Sequence, residues 1–326
     1  MKSIALRQDV SSTVIAHPKF ETGVLKMRSI VEDALSGLPP SVTFMMGPSR
    51  CGKTEIVNAI AREFPDTCFD GKRSIPVLVV YVRSSMGPKD LPAAVIAAMG
   101  LPVPRTGRVG ELSSYMVAKL ALANVKVIFF DEASHVVEPG ARIQPYAASD
   151  WFKDAHFGFN LSQAHKQPGF SLVLTGVPRL QRLLDANPQL RNRADKPLTI
   201  LPYRWDNKND RNDFAGCVQA FLTIFADAGH ENTVLMNEFL RDCYIASAGL
   251  IGMLSKFFDK LATLLAPGAP ITLEVCRRAA GLINLPGDGV VLPFSGVPCE
   301  DSHLLRVLTS ELQRYDLLLP REAALA

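Results

Sequence analysis

The stretch Gly47-Pro48-Ser49-Arg50-Cys51-Gly52-Lys53-Thr54 constrains this chain more than any other. It follows the pattern glycine, four residues, Gly-Lys-Thr, between an apolar run at 41–46 and a helix-forming segment at 54–64. Such a loop grips phosphate because successive backbone N–H groups and a helix N-terminus converge on one anion, so a strand must deliver it and a helix must leave it. The pattern therefore implies an α/β fold and a nucleotide ligand. Lys53 would reach the β- and γ-phosphates and the Thr54 hydroxyl would ligate Mg2+. Gly47, Ser49, Arg50, Cys51, Gly52 and Glu55 complete the expected nucleotide-contacting set. Pro48 has no N–H to give, which is tolerable early in the loop if the later amides form the cradle.

The chain around the loop keeps the same rhythm. Apolar runs at 41–46, 74–82, 125–130, 170–176 and 197–203 read as strands, and the run 74–82 is too uniformly apolar for a half-exposed sheet and suited to one covered on both faces. Helix-forming segments at 19–38, 54–64, 111–124, 148–165 and 178–193 separate them, which predicts a mostly parallel sheet. After the polar run 206–213 the strand signals stop, and four helical segments follow between 214 and 283. The expected organisation is an N-terminal arm over 1–22, an α/β core over 23–205, an all-helical lid over 206–285 and a Pro/Gly-rich tail over 286–326.

Three further elements carry chemistry. The strand at 125–130 ends in Asp131-Glu132, a Walker B arrangement: Asp131 would hold Mg2+ and Glu132 would polarise the attacking water. The strand at 170–176 carries Thr175 near its end, beside where the Asp131 strand should lie, able to contact the γ-phosphate or the water. Arg191 and Arg193 end a helical segment before the last strand. On their own they complement a helix C-terminus. A glutamate after the Asp suits hydrolysis by water better than phosphoryl transfer to a small molecule.

In this order, P-loop, Asp-Glu, strand-end Thr, helix-end Arg and helical lid, the chain resembles the AAA+ ATPases. Within them "GPSRCGKT", "FFDEASHV", "VLTGVP" and "PQLRNR…LTILPY" look like the TniB/TnsC family of transposition ATPases, over roughly residues 20–285. The resemblance implies an ATP- and Mg2+-dependent ATPase that oligomerises on duplex DNA and recruits or activates a transposase, with a TniQ-type target-selection adaptor as another partner. It makes Lys53 and Thr54 the Walker A pair, Asp131 and Glu132 the Walker B pair, Thr175 sensor 1, and Arg193 the arginine finger that completes a neighbour's site, with Arg191 in reserve. "SAGLIGMLSKFF" has no arginine where a sensor 2 would stand, only Lys256. Two rival readings stay open: an ATP-switched signalling or defence scaffold acting on protein, and a P-loop kinase for a small molecule.

The balance of 35 basic and 32 acidic residues permits a polyanion partner without demanding one. Local excess is greatest at 83–126, where Arg83, Lys89, Arg105, Arg108, Lys119 and Lys126 face only Asp90 and Glu111. Lys89, Arg105, Arg108 and Lys119 are the candidate DNA contacts. No base-reading motif stands out, so binding should be largely sequence-independent and salt-sensitive. Six cysteines without CxxC or Cys/His ligand spacing read as reduced thiols. With no signal-like N-terminus and no apolar run long enough for a membrane span, a cytoplasmic protein is expected. His135 and the aromatics Trp151, Phe152, Phe157 and Phe159 are expected to pack or hydrogen-bond.

Overall fold

The computed structural model describes residues 2–105, 107–161, 170–287, 289 and 291–317. In chain order the elements are α1 (Lys2–Ser12), α2 (Pro18–Leu35), β1 (Val42–Met46), α3 (Lys53–Glu63), the hairpin strands β2 (Thr67–Phe69) and β3 (Lys72–Ser74), β4 (Val77–Tyr81), α4 (Asp90–Ala98), α5 (Val109–Leu122), β5 (Val127–Asp131), α6 (Pro145–Leu161), β6 (Ser171–Gly176), α7 (Gln181–Ala186), α8 (Pro188–Arg191) and β7 (Leu198–Thr199), then α9 (Lys208–Asp227), α10 (Met236–Ser247), α11 (Ile251–Leu264), α12 (Leu273–Ala280) and α13 (Asp301–Gln313). They form two compact units. One comprises residues 19–49 and 53–200; the other comprises 1–18, the three loop residues 50–52, and 201–326.

The first unit is built on a five-stranded parallel sheet in the order β4-β5-β6-β1-β7. Every residue of β1, β5 and β6 is buried, as strands covered on both faces require. Alternation along each strand sorts the side chains. Val42, Phe44, Ile128, Phe130, Leu172 and Leu174 join one apolar cluster with residues of α4, α5, α6 and α7. Phe129, Asp131, Val173 and Thr175 fall on the opposite face by the two-residue period. Helix α3 packs on β4, β5 and β6, and a Cβ on Gly23 of α2 would lie 2.5 Å from Ile56 of α3. Strand parity thus aims Asp131 and Thr175 together before any loop is considered.

Several elements depart from the periodicity. The run 74–82 is not one strand, because Pro76 has no N–H for a ladder; β4 begins after it, and Pro76 offers only its carbonyl, to Lys126 and Val127. Ahead of it Asp70-Gly71 turns the exposed hairpin β2–β3, both residues with positive φ as a tight two-residue turn demands. The helix expected over 178–193 breaks at Asn187, which caps α8 by accepting from the amides of Gln189 and Leu190, with Pro188 at the first position. Gly158 does not interrupt α6, which runs to Leu161; the rest of the segment expected to 165 lies outside the described residues, as do the side chains of Phe157 and Phe159. Trp151 and Phe152 pack edge-to-face with each other and with Phe130.

The second unit holds its own core, including Phe214, Phe221, Phe225, Phe239, Phe257 and Phe258. Within the stretch 1–22, expected as an arm, Lys2–Ser12 is helical: α1 lays Leu6 and Val10 into this core and pairs Arg7 with Asp259 at 2.7 Å. The described part of the tail packs here too. Phe294 is fully buried and stacked on Phe257 at 5.1 Å, Arg277 donates to the Phe294 carbonyl, and Arg241 pairs with Asp301 at 2.8 Å. Among the described residues no helix is long and apolar enough to cross a membrane.

Candidate nucleotide site

Strand β1 ends at Met46 and the loop begins. Gly47 and Pro48 are buried, Ser49 and Arg50 exposed, Cys51 buried. Arg50 and Gly52 take positive φ (67° and 97°), and a Cβ on Gly52 would meet nothing, so glycine there serves conformation rather than space. The loop then enters α3, whose first residues are Lys53, Thr54 and Glu55; their early N–H groups have no intrahelical acceptor and point along the positive end of the helix dipole. The Lys53 ammonium, buried, donates to the carbonyls of Gly47 (3.0 Å) and Pro48 (2.9 Å). Pro48, short of a donor, thus serves through its acceptor. Glu55 is exposed in the first turn of α3, where an acidic side chain complements the dipole. Arg50's carbonyl accepts from the Gly252 amide at 2.9 Å, within the second unit.

Asp131, only 4% exposed, is the centre of the arrangement. One carboxylate oxygen accepts from the Thr54 hydroxyl at 2.9 Å. The other accepts from the Thr175 hydroxyl and from the Glu132 amide at 3.1 Å. Three expected site residues from α3, β5 and β6 therefore meet at one carboxylate. The residues suit MgATP. Magnesium keeps several waters and takes few protein oxygens beside the phosphates, so a hydroxyl and a carboxylate at the mouth of a phosphate loop are a sufficient protein share. Glu132 sits just outside, half-buried, with a left-handed backbone (φ 56°, ψ 33°), a conformation that costs a non-glycine residue ~1–3 kcal/mol and persists only when its surroundings impose it. Among the described residues its carboxylate takes no hydrogen bond. His135, expected to pack or hydrogen-bond, holds the Val82 carbonyl through Nδ1 at 2.8 Å.

Arg193 lies elsewhere. The neighbouring Ala194 bridges to Val42, the first residue of β1, and the Asp195 amide donates to the Val42 carbonyl at 2.9 Å. Arg193 and Arg191 are exposed at this foot of the sheet, and the Arg193 charge reaches the His156 ring, whose pKa is lowered first by burial and then by that arginine. From Val42 to Gly47 is about 16 Å of strand at ~3.3 Å per residue, so Arg193 does not serve its own chain's loop.

The four candidate DNA contacts come from three separate segments. Lys89 is exposed just before α4, and Arg105 and Arg108 are exposed in the loop before α5, where the Arg108 amide donates to Glu111 at 2.8 Å. Lys119 stands eleven residues further along α5, about 16 Å at ~1.5 Å per residue, half-buried with its ammonium 5.2 Å from the Tyr115 ring centre. Charge counted along the sequence cannot see that a helix carries Lys119 away from the loop.

Sequence reasoning missed two small residues at the site. Ser134 and Gly176 carry no chemistry that a motif could flag, yet both are buried, Ser134 three residues after Asp131 and Gly176 directly after Thr175, and packed against each other.

A model of the bacterial TniB protein family matches residues 7–201, more than half of the chain. No curated protein matches. Among solved structures, Cdc6p from Pyrobaculum aerophilum is similar at a TM-score of 0.61 and 14% identity, covering 83% of this chain and 70% of that one. The Aeropyrum pernix ORC2 protein in its ADPNP and ADP complexes gives 0.57 and 13%, covering 86% and 72%. The A. pernix ORC1 protein in complex with DNA gives 0.56 and 18%, covering 84% and 68%. At these identities the likeness establishes the AAA+ P-loop fold, while the family match establishes kinship: the chain belongs to the TniB family of AAA+ ATPases.

Proposed function

We propose that the protein is an ATP-dependent regulator of DNA transposition that oligomerises on duplex DNA, hydrolyses ATP between subunits, and recruits or activates a transposase with a TniQ-type adaptor as a further partner. The convergence of Thr54, Asp131 and Thr175 beside Lys53 carries the ATPase part of this reading. In it Lys53 leaves the Gly47 and Pro48 carbonyls for phosphate oxygens, and the loop amides with the α3 N-terminus hold the rest of the triphosphate. Mg2+ held by Thr54 and Asp131 would neutralise charge on the phosphate oxygens. Glu132 accepts the proton of the attacking water, and Thr175 orients that water or the γ-phosphate.

Arg193 supports the oligomeric part by its position at the opposite end of β1 from the loop. An arginine there acts only on another subunit's nucleotide, so hydrolysis depends on assembly. The transposition part rests on the TniB kinship, and the duplex part also on the exposed Lys89, Arg105 and Arg108. The cytoplasm is the compartment this reading implies. Electron microscopy of the protein with duplex DNA, with and without a slowly hydrolysed ATP analogue, tests it. Rings or filaments that need both ligands are expected. Assemblies indifferent to DNA would favour a protein-directed ATP switch instead.

A further inference from the structure

The turn that carries Glu132 is fastened on two sides by residues outside the expected nucleotide-contacting set. On the β6 side is Gly176. Its φ is not positive, so glycine is not needed there for conformation; it is needed for space. A Cβ at Gly176 would stand 2.9 Å from the amide nitrogen, Cβ and Oγ of Ser134. Ser134 is fully buried, two residues after Glu132, and its Oγ accepts from the Val177 amide at 3.3 Å. The Gly176 carbonyl accepts from the Gly47 amide at 3.2 Å, so the same residue touches the first residue of the phosphate loop. On the β4 side is His135. Its backbone amide donates to the Glu132 carbonyl at 3.0 Å, and its ring reaches the Val82 carbonyl. A carbonyl only accepts, so Nδ1 carries the hydrogen and Nε2 is turned toward Glu138, 3.9 Å away.

We propose that Gly176, Ser134 and His135 are positioning residues that hold the Glu132 backbone left-handed between β4 and β6 and so aim its carboxylate at the attacking water. The inference rests on the reading of Glu132 as the group that takes the water's proton. None of the three touches the reacting atoms. They act by direction, and direction is what a proton acceptor depends on, since a misplacement of about 1 Å costs ~100-fold in rate.

The test is steady-state hydrolysis and fluorescent-nucleotide binding by the full chain on duplex DNA, with thermal melting alongside. Gly176→Ala should lower kcat by ~10–100-fold while nucleotide affinity stays within about twofold. Ser134→Gly in that background removes two of the three crowded atoms and should recover part of the loss. His135→Asn keeps a side-chain N–H for Val82 and should stay within ~3-fold of the parent kcat, whereas His135→Leu should fall by ~10-fold. The His135 pair decides the matter if Gly176→Ala does not fold. Parental kcat in Gly176→Ala, or equal rates in the two His135 variants, overturns the proposal. Glu132→Gln hydrolysing at the parental rate would instead sink the reading of Glu132 itself, so the two failures are distinguishable.

Discussion

Thr175→Val tests the centre of the site most sharply, because valine keeps the shape and removes one hydroxyl. Asp131 accepts three hydrogen bonds in near-complete burial, and the substitution deletes one of them. A hydrogen bond to a charged group contributes ~1.5–3 kcal/mol, and a buried oxygen left with fewer donors loses that amount without a cavity to add to it. For a unit of this size 1 kcal/mol moves the melting temperature by ~2–4 °C, so a fall of ~3–12 °C is expected. Turnover should fall by ~10–100-fold as well, since in the proposed function the same hydroxyl orients the attacking water or the γ-phosphate. Thr43→Val is the control. Thr43 is a fully buried threonine on the same sheet face, but its hydroxyl donates to Asp195 at the foot of β1, 2.9 Å away. It should cost stability and leave turnover intact. Differential scanning fluorimetry and a coupled ATPase assay on both variants suffice. The reasoning fails if Thr175→Val melts and turns over like the parent, or if Thr43→Val loses as much turnover.

Glu132→Gln should still bind ATP and persist on DNA after the parent has dissociated, measured by dissociation from surface-bound duplex. Arg193→Ala and Lys53→Ala should each be inactive alone, yet their mixture should recover turnover, because a Lys53→Ala subunit can still lend its arginine to an intact neighbouring loop; no recovery on mixing would place Arg193 outside the site. Asp242 offers a pH test. Burial, with Glu238 adding to it, lifts its carboxyl to about 6 against the Phe294 amide, which pulls the other way. A pKa raised in the fold favours the neutral form, so this contribution is full below about 4 and is lost as pH rises through 6. Asp242→Asn should therefore melt higher than the parent at pH 7.5 and alongside it near pH 4.

Much of the site was legible because strand periodicity and strand ends are local facts. Phe129 and Asp131, like Val173 and Thr175, alternate onto one face, and the loop between an apolar run and a helix marks where α3 begins. The role of Gly176 was not legible: in sequence it is a turn glycine like any other, and only the approach of Ser134 from a distant segment makes it necessary. Helix α1 hid for a related reason: among its described side chains Leu6 and Val10 reach the core, and their partners lie more than 190 positions away. The hairpin was a missed signal rather than an absent one. Asp70-Gly71 is a strong two-residue turn pair, masked by the short, polar strands on either side.

That hairpin has a practical consequence. It carries Cys68, an exposed thiol, while Cys51, Cys217, Cys243 and Cys276 are buried and Cys299 is half-covered. Alkylation needs both access and thiolate. Burial pushes the Cys217 and Cys276 thiols up to about 12, raises Cys243 well above the ordinary range, and raises Cys299 as well. At neutral pH a maleimide dye should therefore mark the unmodified protein once, on strands that pair only with each other. Every further dye taken up would time the opening of a core around one of the other thiols, so the chain carries its own clock for local unfolding.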